Sequence, residues 1–144
     1  WIDERELTLI DWRSEWKQLV GLARLQETLR GERVLELELD AVIGPALIPP
    51  LVWVTLVENA LTHGQFGASE PIRVILRQRS RKLYFHCINQ YSALSRSQGG
   101  TGKGLKDVRQ RLATHFTASE WGCKIMDNGT HYHLLLMTGV PKSA

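Results

Sequence analysis

Two cysteines in the whole chain, Cys87 and Cys123, are too few for a disulfide framework, and neither has a metal-ligand neighbour at the usual spacing. Both fall in alternating apolar runs and read as reduced, buried core residues, which fits the cytoplasm. No signal peptide and no apolar run long enough to span a bilayer is present. The chain begins at Trp1, not Met, so an excised piece of a longer protein is expected. Charge of one sign is also scarce, the formal net charge being only +3. Lys and Arg are scattered except over Arg77 to Lys82, and no aromatics interleave with them as on a strand-binding face. That argues against nucleic acid as a partner. Internal repeats, linkers and low-complexity segments are missing too. What remains is 144 residues, 43% hydrophobic and 23% charged, which suits one globular domain with a real core.

The chain is organised around Ile48 to Gly64. Pro49 and Pro50 suit a first helical turn, and Gly64 suits a residue just past a helix end. Leu51, Val52, Val54, Leu56, Val57, Ala60 and Leu61 between them imply a mostly buried helix. Glu58 and Asn59 interrupt its interior, and His63 follows Asn59 by one turn on the same face. A buried side-chain amide needs a partner. On this helix alone, a neighbouring carbonyl and a ligand or metal ion are equally good partners for Asn59.

Residues 3 to 30 carry Leu9, Trp12, Trp16, Leu19, Leu22, Ala23, Leu25 and Leu29 at helical spacing, closed by Gly31. This helix either packs on the domain or is the stump of a longer helical element. Residues 33 to 40 alternate as a half-buried strand, and 41 to 47 form a loop. Residues 72 to 78 and 83 to 89 make an antiparallel hairpin. Leu105, Val108, Leu112 and Phe116 mark a helix starting near Gly104. Residues 121 to 126 and 132 to 137 are strands about the tight turn Asp127-Asn-Gly-Thr130, before a tail from Val140. Hairpin strands with helices on one face predict a two-layer α/β (α+β) sandwich with a mixed, mostly antiparallel sheet.

Residues 90 to 102 lose all pattern, and Gly99-Gly-Thr-Gly-Lys-Gly104, which overlaps their end, offers a flexible backbone whose N–H groups can turn around an anion at a helix start. Lys103 and Arg96 can add charge. A P-loop is excluded because Ser97 stands where its first glycine belongs and Gly104 follows Lys103. A dinucleotide fingerprint is excluded because its glycines directly follow a strand.

Leu56-Val-Glu-Asn-Ala-Leu-Thr-His-Gly64, Cys87-Ile-Asn89 and Gly100-Thr-Gly-Lys-Gly-Leu-Lys-Asp-Val-Arg-Gln-Arg-Leu112 together resemble the ATP-binding domain of sensor histidine kinases. The LytS-like subgroup, with "L-V-E-N-A-x-x-H-G" and "G-x-G-L-x-N-V-x-x-R-L", is similar over roughly residues 33 to 140. The resemblance implies the Bergerat fold, shared with gyrase and the anti-sigma-factor kinases. It divides the chain into 1–31, a helix leading from a removed dimerisation region, and 32–144, the catalytic domain.

By the same resemblance, Asn59 coordinates Mg²⁺, Asn89 accepts a hydrogen bond from the adenine amino group, and Gly100, Thr101, Gly102, Lys103, Gly104 and Leu105 surround the phosphates of ATP. Residues 90 to 103 are then the lid. An amide oxygen is a hard, neutral ligand suited to Mg²⁺, which takes few protein ligands beside phosphate and water. Glu58 and His63 are the catalytic candidates. Glu58 is about 100° around the helix from Asn59, and the place of the base in hydrolysing relatives is held by Thr55, so a structural role for Glu58 is favoured. His63 reads equally as a phosphate or lid contact and as a satisfied interior histidine. The chain departs from the family where Asn89-Gln-Tyr91 replaces Asp-x-Gly, where Thr62 replaces a basic residue, and where Asp107 replaces Asn.

The implied activity is transfer of the ATP γ-phosphoryl group to a histidine on a dimerisation domain outside this chain, and from there to a response regulator. The implied parent is a dimeric, membrane-anchored kinase with this domain in the cytoplasm. Two other readings stand beside it: an anti-sigma-type serine kinase, and a degenerate module that binds partners without turnover.

Overall fold

The computed structural model describes residues 9–40, 42–90 and 103–139. In chain order its elements are β1 (Ile10–Asp11), α1 (Trp12–Arg30), β2 (Leu35–Leu39), β3 (Leu47–Ile48), α2 (Val52–His63), β4 (Ile72–Arg79), β5 (Lys82–Gln90), α3 (Lys103–His115), β6 (Trp121–Asp127) and β7 (His131–Gly139). The five longer strands form one sheet in the order β2-β4-β5-β7-β6. β2 runs parallel to β4 because α2 carries the chain back between them; the other pairings are antiparallel. The β4–β5 hairpin turns on Ser80 and Arg81, both at positive φ (48° and 67°), which matches the twist of the flanking strands. Asp127-Asn-Gly129 is a turn, as expected: the Gly129 N–H donates to Asp127 Oδ1, and Asn128 Oδ1 accepts from the N–H groups of Thr130 and His131.

One core holds the two layers together. Ile72, Val74, Leu76, Leu83, Phe85, Cys87, Leu134 and Leu136 supply the inner face of the sheet. Trp12, Trp16 and Leu19 of α1, Trp53, Leu56, Val57 and Ala60 of α2, and Val108 and Leu112 of α3 cover it. The fold is therefore the two-layer, mixed and mostly antiparallel arrangement anticipated. At its centre Trp53 stacks on Phe85 (centroids 5.1 Å apart, planes 6° from parallel) and meets the edge of Trp16 at 6.4 Å.

Three local expectations are corrected. The first helix starts at Trp12, where the Asp11 carboxylate accepts from the Arg13 N–H and caps it; β1 precedes it, and residues 3 to 8 lie outside the described residues. The loop assigned to 41–47 includes Leu47 of β3, which pairs with β1. Pro49 and Pro50 precede α2 rather than forming its first turn, because Leu51 takes a left-handed conformation (φ 66°) and the helix starts at Val52.

On the outer sheet face, His86 Nδ1 and His133 Nε2 share a hydrogen bond of 2.9 Å between β5 and β7. Burial pushes His86 below its ordinary pKa, and the charges of His133 and Arg77 add to this; burial does the same to His133. The folded chain therefore favours neutral rings. Their contribution to stability is complete above pH 6.5, the ordinary value, and is lost as pH falls from there through the lowered folded values. Urea midpoints should drop between about pH 7.5 and about pH 5, and a His86→Phe, His133→Phe double variant should lose less over the same interval.

Candidate functional site

The buried face of α2 is Val52, Trp53, Leu56, Val57 and Ala60, the i, i+4 and i+1 positions a sheet-facing stripe requires. Asn59 is off that stripe. It is exposed, not buried as the apolar run around it implied, and so is Glu58. The run was misleading because α2 buries only one side, while Val54, Thr55 and Leu61 are half-buried along its edges. The Asn59 amide makes no hydrogen bond among the described residues.

α3 runs back along α2. Its first turn meets the Asn59 region, and Arg111, two turns later, donates to the Pro50 carbonyl at 2.8 Å. Gly104 lies beside both Asn59 and Thr55: a Cβ built on it would make ordinary van der Waals contact, 3.6 Å from Asn59 Oδ1 and 3.8 Å from Thr55 Cγ2. The two motifs far apart in sequence thus meet in space. Leu105 is half-buried and packs against the core. The backbone of Lys103 opens α3, whereas Gly100, Thr101 and Gly102 lie outside the described residues.

Asn89 is at the far end of β5 and is 7% exposed. Its Nδ2 donates to the Gln90 carbonyl at 3.2 Å, so the amide oxygen is turned the other way and keeps its acceptor capacity. The end of α2 closes onto it: the Gly64 N–H donates to the Ala60 carbonyl at 2.8 Å and the Gln65 N–H to the Gln90 carbonyl at 2.7 Å. A Cβ on Gly64 would stand 2.7 Å from the Ala60 oxygen and 2.8 Å from Asn89 Nδ2. Gly64→Ala should therefore cost about 1–3 kcal/mol, read as a lowered melting temperature.

Sequence reasoning missed two participants. Tyr132 is directly opposite Asn89 in the β5–β7 register, and burial, with the neighbouring Cys123, Asp127 and Cys87, pushes its hydroxyl above the usual range. Only strand register could have located it. Gly64 reads in the sequence as a helix stop and the end of a motif, and neither reading shows that its missing side chain is what admits Asn89.

His63 is half-buried at the end of α2. Glu58, one residue before Asn59, accepts the Thr62 hydroxyl at its carbonyl (2.9 Å). No His, Cys, Asp or Glu cluster able to hold a metal ion by itself occurs among the described residues. The donor set still fits Mg²⁺: one neutral amide oxygen, on an exposed side chain beside a glycine, suits an ion that takes its remaining ligands from phosphate and water.

No protein-family model and no curated protein matches the chain in sequence. Solved structures do match in shape. The histidine kinase AdeS of Acinetobacter baumannii superposes with a TM-score of 0.66 at 12% identity, over 94% of this chain and 68% of that one. The catalytic domain of histidine kinase ThkA gives 0.68 at 13%, over 92% and 95%. Full-length ShkA in complex with AMPPNP gives 0.67 at 11%, over 94% and 32%. The fold is that of a histidine kinase catalytic domain.

Within this histidine kinase fold, two of the departures from the motif pattern fall on the surface, while the third, at Asn89, is buried. Thr62 and Asp107 are both exposed. Asp107 lines a groove of about 360 Å³ with Pro49, Pro50, Leu51, Arg111 and His115, at the opposite end of α2 from Asn59. That groove contains none of the site residues. Among the described residues, no helix is long and apolar enough to cross a membrane.

Proposed function

We propose that this chain is the ATP-binding catalytic domain of a sensor histidine kinase of the LytS-like type, with the division at residues 31 and 32 marking where a helix from the dimerisation region leads in. The observation that carries this reading is the approach of Gly104 to Asn59 and Thr55. Asn89 at the dry end of the site receives the adenine amino group on its free amide oxygen. The glycine segment ending at Gly104, with Thr101, Lys103 and Leu105, closes on the phosphates at the wet end. Asn59 would hold Mg²⁺, which would supply charge neutralisation for the phosphates when bound. Thr55 holds the place of a hydrolytic base and cannot serve as one, which leaves the γ-phosphoryl group for an imidazole acceptor. That acceptor is a histidine on the dimerisation domain of the same protein, in a dimeric, membrane-anchored parent, and a response regulator follows it. Glu58 holds Thr62 through its backbone, and His63 faces the lid or phosphates.

The test is calorimetric titration with AMPPNP, with Mg²⁺ and with EDTA, followed by incubation with ATP and a separately supplied phosphoacceptor domain. Mg²⁺-dependent binding and a phosphohistidine product are expected. No binding at millimolar nucleotide rejects the reading. Binding without transfer favours the degenerate module, whose supporting observation is the Asn89-Gln-Tyr91 replacement of Asp-x-Gly.

A further inference from the structure

Glu15 is completely buried, yet it belongs to α1 and lies outside every motif discussed so far. Both of its carboxyl oxygens are used. Oε1 accepts from the Leu51 N–H at 3.0 Å and Oε2 from the Val54 N–H at 3.1 Å. These are first-turn N–H groups of α2, which has no side-chain cap of its own because Leu51 holds that position. A carboxylate there also meets the positive end of the helix dipole. The left-handed Leu51 is a conformation a non-glycine residue keeps only when its surroundings hold it, and Glu15 is what bonds to its N–H.

The rest of this junction is equally directional. The Trp12 N–H donates to the Ala46 carbonyl at 3.1 Å, and Trp12 Nε1 donates to the Gly44 carbonyl at 2.9 Å. Ile10 and Asp11 pair with Ile48 and Leu47. The start of α1 is thus bonded to the whole segment that leads into α2. Apolar contacts such as Trp16 on Trp53 tolerate sliding; paired hydrogen bonds to two N–H groups do not. Thr55 directly follows Val54, and Asn59 stands one turn further along. Glu15 thus ties α1 to the turn of α2 that precedes Thr55 and Asn59.

We propose that Glu15 is a positioning residue for the Asn59 end of the site, and that through it the position of α1 sets the affinity for Mg²⁺-nucleotide. This rests on the nucleotide-binding reading above. It assigns to α1 a regulatory role on that site, acting through a hydrogen-bonded carboxylate.

The experiment compares the wild-type chain, Glu15→Gln and Glu15→Ala. AMPPNP affinity is measured with Mg²⁺ and with EDTA, and amide hydrogen exchange is followed at Leu51 and Val54. Each titration is run at a temperature where far-ultraviolet circular dichroism shows the variant folded. Glu15→Ala is expected to weaken Mg²⁺-AMPPNP binding about tenfold while leaving the EDTA affinity within about twofold. Glu15→Gln keeps one acceptor and should fall between. Exchange at both amides should accelerate in the same order. A merely structural role lowers stability and leaves the ratio of the two affinities unchanged. That result in either variant, with faster exchange, overturns the inference. If Glu15→Ala does not fold, Glu15→Gln decides alone. A wild-type chain whose nucleotide affinity ignores Mg²⁺ overturns the functional reading itself, and this inference with it.

Discussion

Asn59→Ala should abolish the Mg²⁺-dependent part of nucleotide affinity, roughly a 100-fold loss, and leave the fold as stable as before. The magnitude follows from comparison: removing groups that merely orient a metal ligand costs about 10–100-fold, and Asn59 would be the ligand. The absence of a stability cost follows from its surroundings. Asn59 is exposed and makes no hydrogen bond among the described residues, so truncation leaves no buried group unpaired. Alanine is also the better helix former by about half a kcal/mol, so the melting temperature should hold or rise slightly. A core asparagine shows the reverse, lost stability with little change in binding. Calorimetric titration beside thermal denaturation separates the two, and unchanged Mg²⁺-AMPPNP affinity in Asn59→Ala would remove this residue from the site.

Trp53→Ala should be the most damaging single core change. Trp53 is 1% exposed and joins three elements: it stacks on Phe85 of β5, meets Trp16 of α1 edge-on, and belongs to α2. Truncating a buried tryptophan costs about 3–5 kcal/mol, and the aromatic contacts add about 0.5–1.5 kcal/mol each. Against the roughly 5–15 kcal/mol total of an ordinary domain, the variant should be close to half unfolded or beyond it under mild denaturant. Equilibrium urea denaturation followed by circular dichroism measures this. A loss under about 1 kcal/mol would mean that the aromatic cluster does not hold the two layers together.

Much of this architecture can be read from residue order alone. Alternation in Leu35 to Leu39 and Lys82 to Gln90 locates strands, because a half-buried sheet imposes a period of two on its own sequence. Val108, Leu112 and, just past its end, Phe116 recur at helical spacing and locate α3. The Asn59 and glycine-loop motifs point at each other once the resemblance to sensor histidine kinases supplies the fold. What residue order does not carry is partnership across distance. Glu15 looks like any solvated helix charge, since its partners are backbone N–H groups of residues 51 and 54. Leu51 has no signature of a left-handed conformation, which glycine normally takes. The exposure of Asn59 was hidden by apolar neighbours that serve the edges of α2 as well as its buried stripe. Gly64 and Tyr132 reach Asn89 only through the closing of α2 onto β5 and the register of β7.

The inner-face thiol of Cys87 is 3% exposed, and its burial lifts the pKa to about 12. The thiol is therefore protonated at neutral pH and shielded, which leaves oxidants and alkylating agents little to attack while the chain is folded. Half-buried Cys123 is the more accessible of the two and should be modified first. Modified Cys87 therefore marks molecules whose sheet has come apart, a chemical record of unfolding written into the middle strand.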